Sequence, residues 1–378
     1  MKLASGDSRP KDVQEMPYGE HTAPVYGGNG ILGYSASYNS SDEDVIIGRV
    51  GEYCGVTRLV RGPKWITDNA LFAKSVASNI SREFLVLRLQ YFDLSKLRSK
   101  GGQPLVTQEP IYAQRFPFPS LPEQVSIVSV IGTWDRAIET VEALIANARA
   151  QKKALMQSLL TGKKRLPEFS GEWATVTLEK AAQIIVSNVD KKSVVTERAV
   201  RLCNYMDVYR SDRIDADMDF MAATAVDAQI RKFGLRVGDV LITKDSETPD
   251  DIAVPSFVGS TAPDLVCGYH LAIIRPRKGT DGQFLKFYFE HPHTRHFFAS
   301  RANGATRFGL TIDAIQTAPI ALPSFAEQQR IGEVICAAEL EIARLNPIAA
   351  SLRQEKSALM QQLLTGKRRV MVDEREVA

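Results

Sequence analysis

The segment ALMQSLLTGKKR beginning at Ala154 returns as ALMQQLLTGKRR beginning at Ala358, an offset of 204 residues (358 minus 154). The offset holds without a gap. Pro119, Ser120, Glu123 and Gln124 map onto Pro323, Ser324, Glu327 and Gln328, and Ile127, Ile131, Ile138, Arg149 and Lys152 map onto Ile331, Ile335, Ile342, Arg353 and Lys356. An internal repeat kept in register over such a span organises the whole chain and takes precedence over local propensity.

Each copy opens with a Pro-Ser turn and a Glu in the first helical turn, where a carboxylate favours the helix N-terminus. Each closes on Gly162 or Gly366, the residue type suited to a left-handed cap, followed by a cluster of Lys and Arg. Between these signals Ile131, Trp134, Ile138, Val141, Ile145, Ala148, Lys152, Leu155 and Leu159 recur at alternating spacings of three and four. Ile335, Ala338, Ile342, Leu345, Ala349, Leu352, Lys356, Leu359 and Leu363 do the same in the second copy. This is a heptad seam, and such a stripe is not left in water when each buried aliphatic contributes roughly 1.5 to 3 kcal/mol.

The spacing therefore predicts two long helices, in segments 119–166 and 322–370, that bury their stripes against one another antiparallel. A helix of about 40 residues would form a rod of roughly 60 Å. Pro347 replaces Ala143 of the first copy, and an internal proline predicts a bend or break near Asn346. Lys152 and Lys356 occupy equivalent seam positions, either setting register or directing their charges outward.

Segments 1–118 and 167–321 read as mixed α/β. Short apolar runs such as Asp44 to Ile47 and Asp239 to Ile242 alternate with Gly, Asn, Asp and Pro, and a helical patch covers Phe284 to Phe298. The two domains do not visibly repeat. The fold class is thus mixed α/β with two domains separated by two long antiparallel helices in a pseudo-two-fold arrangement, followed by a tail at 371–378. Such a rod, carrying two unlike domains, is the geometry for reading two different short DNA words at a fixed spacing.

The chain has 47 Lys and Arg against 44 Asp and Glu, a net charge of +3, so its overall charge does not advertise a nucleic-acid partner. Cys54, Cys203, Cys267 and Cys336 are scattered singly, as reduced core thiols would be. The first residues, MKLASGDSRPKD, lack the apolar core of a signal peptide, and no apolar run approaches the roughly 18 residues needed to cross a bilayer. A cytoplasmic protein is expected.

The twice-present pattern Pro-Ser-x-x-Glu-Gln, then a long helix ending Leu-Met-Gln-x-Leu-Leu-Thr-Gly-Lys-[Lys/Arg]-Arg, resembles the two central regions of type I restriction-modification specificity subunits. Pro24 to Ile31, Ile46 to Gly51, Thr67 to Ala70, Gly238 to Ile242 and Gly304 to Leu310 resemble target-recognition domains of that family. The resemblance implies a non-catalytic subunit that binds double-stranded DNA at a bipartite asymmetric target. It further implies docking of two methyltransferase subunits and of restriction (translocase) subunits, with S-adenosylmethionine, ATP and Mg held by those partners and no cofactor or metal in this chain. Segment Trp173 to Leu178 has no counterpart before Ser5, so a β element is either missing from the first domain or supplied by the tail after Arg369.

Base-reading candidates are Asn29, Arg49 and Lys64 in the first domain and Lys244, Arg301 and Arg307 in the second, chosen because they lie in loops beside Gly or at strand ends. Other motifs carry less. Gly28-Asn29-Gly30-Ile31-Leu32-Gly33 satisfies GxGxxG but is followed by no helix signal, and reads better as an Asn-Gly turn. His291, His293 and His296 lack the accompanying ligands of a metal site, and the carboxylates between Asp245 and Asp251 read as a polar loop. No phosphate-binding loop or adenine-methylation motif is found, which weighs against a standalone restriction or modification enzyme. A coiled-coil scaffold that ignores DNA would leave the two α/β domains without a purpose.

Overall fold

The computed structural model describes residues 1–371. Its contacts divide the chain into two units, residues 1–143 with residues 347 onward, and residues 144–346. The division runs through both long helices, Leu121–Leu159 and Phe325–Leu364, so each unit holds an α/β domain and one stretch of each helix.

In the first unit a four-stranded antiparallel sheet runs in the order Lys2–Ser5, Ala70–Ser75, Asp44–Gly48, Thr57–Val60. Asp44–Gly48 is buried throughout, as an apolar run paired on both edges must be. A three-stranded sheet places Ala23–Gly27 between Gly30–Ser35 and Trp65–Ile66. Helix Arg82–Phe92 starts at Ser81, whose hydroxyl accepts from Phe84 N. It buries Phe84 against Ile127 and Ile131 of the first long helix and Leu363 and Leu364 of the second.

The second unit is built on a five-stranded sheet in the order Arg213–Ile214, Pro255–Val258, Val240–Thr243, Leu271–Pro276, Ala182–Val186. Val240–Thr243 is buried at every position. Beside it lie a three-stranded sheet (Met221–Ala225, Arg198–Cys203, Leu265–Cys267) and two two-stranded ladders, Asp245–Ser246 with Phe308–Gly309 and Pro319–Leu322 with Ala174–Thr177. The expected helical patch is two helices, Gly282–Glu290 and Pro292–Ala299, separated by His291 because Pro292 can begin a helix but not continue one.

Within each unit the two long helices run antiparallel. Ile127 and Ile131 meet Leu363 and Leu364 in the first, and Met156 and Leu159 share a core with Ile331 and Ile335 in the second. Every predicted seam residue is buried or half-buried. The caps are also as predicted: Gly162 and Gly366 have φ of 67° and 74°, and Lys164 N and Arg368 N reach back to Ser158 O and Gln362 O.

The predicted break at Pro347 is corrected: the helix is continuous from Phe325 to Leu364. Pro347 removes one intrahelical bond, while Leu345 and Ala349 on either side remain buried and hold the helix in place.

The domains share more than their sequences display. Gln124 accepts from Ser81 N at 2.8 Å and donates to Asn79 O and Pro119 O, both at 2.9 Å. Gln328 accepts from Asp281 N at 2.9 Å and donates to Gly279 O and Pro323 O at 3.1 and 2.9 Å. Ser81 and Asp281 cap equivalent helices, at an offset of 200 rather than 204. In the second unit Ala174–Thr177 pairs with Pro319–Leu322, whereas residues 115–118, their counterpart in the first, form no strand. Of the tail after Arg369, expected as one source of a strand, Val370 and Met371 form none, and residues 372–378 lie outside the described residues.

Candidate nucleic-acid interface

Lys64 is not available to a base edge, which corrects its place among the candidates. Its side chain is 0% exposed and its Nζ lies 2.9 Å from Asp44 Oδ2, while also donating to Gly62 O at 2.9 Å. A buried ammonium must be paired, and this one holds the end of the strand Asp44–Gly48.

The other first-unit candidates face solvent to different degrees. Gly28 and Asn29 form the two-residue tip of the hairpin Ala23–Gly27/Gly30–Ser35, with Gly27 opposite Gly30, so the apparent dinucleotide motif is a turn. Asn29 is exposed and contacts Arg58 Nη2 through its backbone oxygen at 3.2 Å rather than through its amide. Arg49 is half-buried and already donates to Ser5 Oγ and Asp68 O at 3.0 and 3.3 Å.

In the second unit Lys244 and Arg307 come to one place and Arg301 does not. Lys244 Nζ lies 2.7 Å from Asp245 Oδ1, and His270 Nδ1 lies 2.7 Å from Asp245 Oδ2, so both side chains are committed to that carboxylate. The Arg301 guanidinium sits 3.6 Å from the Phe297 ring centroid. Arg307 is exposed, at the end of a loop closed by reciprocal backbone bonds between Asn303 and Gly309. The loop requires Gly304: its φ is 143°, and a Cβ there would lie 1.8 Å from Arg307 O.

That loop borders a cavity of about 430 Å³ lined by Tyr205, Tyr209, Asp245, Glu247, His270 and Arg307 among others. Tyr205 and Tyr209, one helical turn apart, stack with centroids 5.7 Å apart and planes 15° apart. The tyrosines and Glu247 were absent from the sequence candidates. The i,i+4 tyrosine pair was visible, but nothing in linear spacing brings residues 205, 247 and 307 together.

His291, His293 and His296 line another cavity with Lys163, and burial first, then neighbouring positive charge, holds His291 below the usual histidine value. Among the described residues, the carboxylate group close enough to hold an ion is instead Asp212, Glu290 and Glu339. Lys152 and Lys286 already pair with Glu290 and Glu339, and Lys286 Nζ lies 3.8 Å from Asp212 Oδ1. Lys152 Nζ is 2.5 Å from Glu339 Oε1 and 3.0 Å from Glu290 Oε2, and fully buried Lys286 lies 2.6 Å from Glu339 Oε1. Burial pushes the Glu339 carboxyl up, but Lys286 and Lys152 outweigh it and hold it below the ordinary value.

The repeat is realised as exchanged ion pairs. Lys152 of the first copy meets Glu339 of the second, and Lys356 of the second meets Asp135 of the first. Arg165 makes a bidentate pair with Glu327 at 2.6 and 2.7 Å, and Arg369 makes one with Glu123 at 2.7 and 2.5 Å. Lys152 and Lys356 therefore join the two copies rather than pointing into solvent.

Residues 4–148 match the type I restriction modification DNA specificity domain. The chain is 25% identical over 142 residues to the type I restriction enzyme EcoprrI specificity subunit of Escherichia coli, covering 37% of this chain and 35% of that protein, about a third of its length. It is 24% identical over 367 residues to a Methanocaldococcus jannaschii protein assigned as the type I restriction enzyme MjaX specificity subunit, covering 89% and 80% of the two. Its fold is similar to the type I restriction-modification S subunit from M. genitalium, with a TM-score of 0.62, 13% identity and coverage of 96% and 93%. It is similar also to a chain solved in a study of complex assembly and conformational transition of the type I R-M system, with a TM-score of 0.54, 18% identity and coverage of 97% and 98%. No helix among the described residues is long and apolar enough to cross a membrane.

Proposed function

We propose that this chain, a member of the type I restriction-modification specificity-subunit family, is the non-catalytic DNA-recognition subunit of such a system. Each α/β domain reads one part of a bipartite, asymmetric double-stranded target. The duplicated helices dock two methyltransferase subunits and, with them, the restriction subunits. S-adenosylmethionine, ATP and Mg belong to those partners.

The observation that carries this reading is the exchange of ion pairs between the two copies. One joint, used twice, presents two domains that share a helix cap and an anchoring glutamine but differ elsewhere. A duplicated joint with divergent domains suits two unlike half-sites, as identical domains suit a palindrome. Basic side chains would hold phosphates while a few groups read base edges.

The test is co-expression with a methyltransferase subunit of a type I system. A stable complex that methylates adenine in a split, asymmetric motif supports the proposal. Methylation or cleavage of DNA by the purified chain alone overturns it.

A further inference from the structure

The ladder Asp245–Ser246/Phe308–Gly309 is a two-stranded ribbon separate from the five-stranded sheet. Its register pairs Asp245 with Gly309 and Ser246 with Phe308, and the chain leaves the ladder at this end through Glu247 on one strand and Arg307 on the other. Both are exposed and both line the cavity faced by Tyr205 and Tyr209. Yet among the described residues neither makes an ion pair, with the other or with any third group.

An acid and a guanidinium that line one cavity and make no ion pair present an acceptor and a forked donor on one surface. The major-groove edge of a C·G pair presents the complement: the cytosine N4 amine donates, and guanine O6 and N7 accept bidentately. The major groove also admits a two-stranded ribbon. Lys244 is unsuited to the same task because Asp245 already holds it.

We propose that Glu247 and Arg307 together read one C·G base pair in the half-site recognised by the second domain, Glu247 taking the cytosine amine and Arg307 the guanine. Gly304 and the Asn303–Gly309 bonds fix the loop that carries Arg307. This rests on the reading of the chain as a DNA-recognition subunit and adds to it the two residues and the base pair they select.

The test uses the complex with its methyltransferase and begins on the DNA side, where protein folding is not at issue. Each C·G pair of the second half-site is substituted singly with N4-methylcytosine or with 7-deazaguanine. One position is expected at which both substitutions weaken binding by roughly ten- to a hundredfold. In the methylome, Glu247→Gln and Arg307→Ala are then expected to relax the motif at that same position and to leave the other half-site intact. A second half-site without C·G, tolerance of both modified bases everywhere, or relaxation at two different positions by the two variants would each overturn the assignment. If the wild-type complex bound no split motif at all, the DNA-recognition reading itself would fall.

Discussion

Lys152 and Glu339 stand 2.5 Å apart, and the residues 204 positions removed from them, Lys356 and Asp135, pair in the reciprocal sense. The same inversion relates Arg165–Glu327 to Arg369–Glu123. Equal chemistry does not mean equal energy. Lys152 and Glu339 are 17% and 18% exposed and share their charge with fully buried Lys286, whereas Lys356 and Asp135 are 25% and 40% exposed. Double-mutant cycles should therefore give a larger coupling for Lys152/Glu339 than for Lys356/Asp135. Glu339→Ala should cost about 3 kcal/mol, because it leaves buried ammonium groups short of a partner. Equal couplings measured by denaturant unfolding would refute this.

Acid should weaken the same joint. Burial raises the Glu339 carboxyl, but the two lysines more than compensate, so its folded-state value lies below the ordinary 4.5. The Arg369 side chain, outweighing burial, likewise holds Glu123 below 4.5. A depressed carboxyl contributes stability that is fully present above its unfolded value and is lost as pH falls through its folded value. Unfolding stability should thus decline as pH drops below about 4.5, and Glu339→Gln should flatten that decline. An unchanged acid slope in the variant would show that the carboxylate contributes nothing.

Lys64→Ala separates a structural role from a reading one. It leaves Asp44 buried without its counter-ion and should cost roughly 3 kcal/mol. The DNA motif modified by the surviving folded fraction should be unchanged. A relaxed motif with full thermal stability would restore Lys64 to the list of base readers.

Much of the helical joint was legible before any coordinates. A gapless offset, heptad spacing and Pro-Ser and Gly signals each report local, repeated physics, and the helices begin at Leu121 and Phe325, 204 residues apart. The continuity through Pro347 was not legible, because burial of Leu345 and Ala349 by other parts of the fold decides it. Neither was the burial of Lys64, since its partner Asp44 lies 20 residues away, at the start of the strand Asp44–Gly48. The grouping of Tyr205, Glu247 and Arg307 depends on sheet topology, which no linear pattern of theirs records. The domain repeat was hidden by a change of offset from 204 to 200, and it surfaces only through Gln124–Ser81 and Gln328–Asp281.

Gly304→Ala should be far more harmful to recognition than its size suggests. A methyl group there meets Arg307 O at 1.8 Å with the backbone at φ 143°, so the loop must rearrange. Strain of this kind costs about 1 to 3 kcal/mol. DNA affinity of the assembled complex should fall while assembly with the methyltransferase persists, as read by binding titration and size-exclusion chromatography. Retention of full affinity would mean that the loop takes no part in recognition.

The proposed division of labour between the two domains is tested most directly by replacing residues 167–321 with the corresponding domain of another type I specificity subunit and reading the methylome of cells that also carry a methyltransferase subunit. The prediction is that one half of the split motif changes to that of the donor while the other half is retained. A motif that changes in both halves, or in neither, would contradict the assignment of one half-site to each domain.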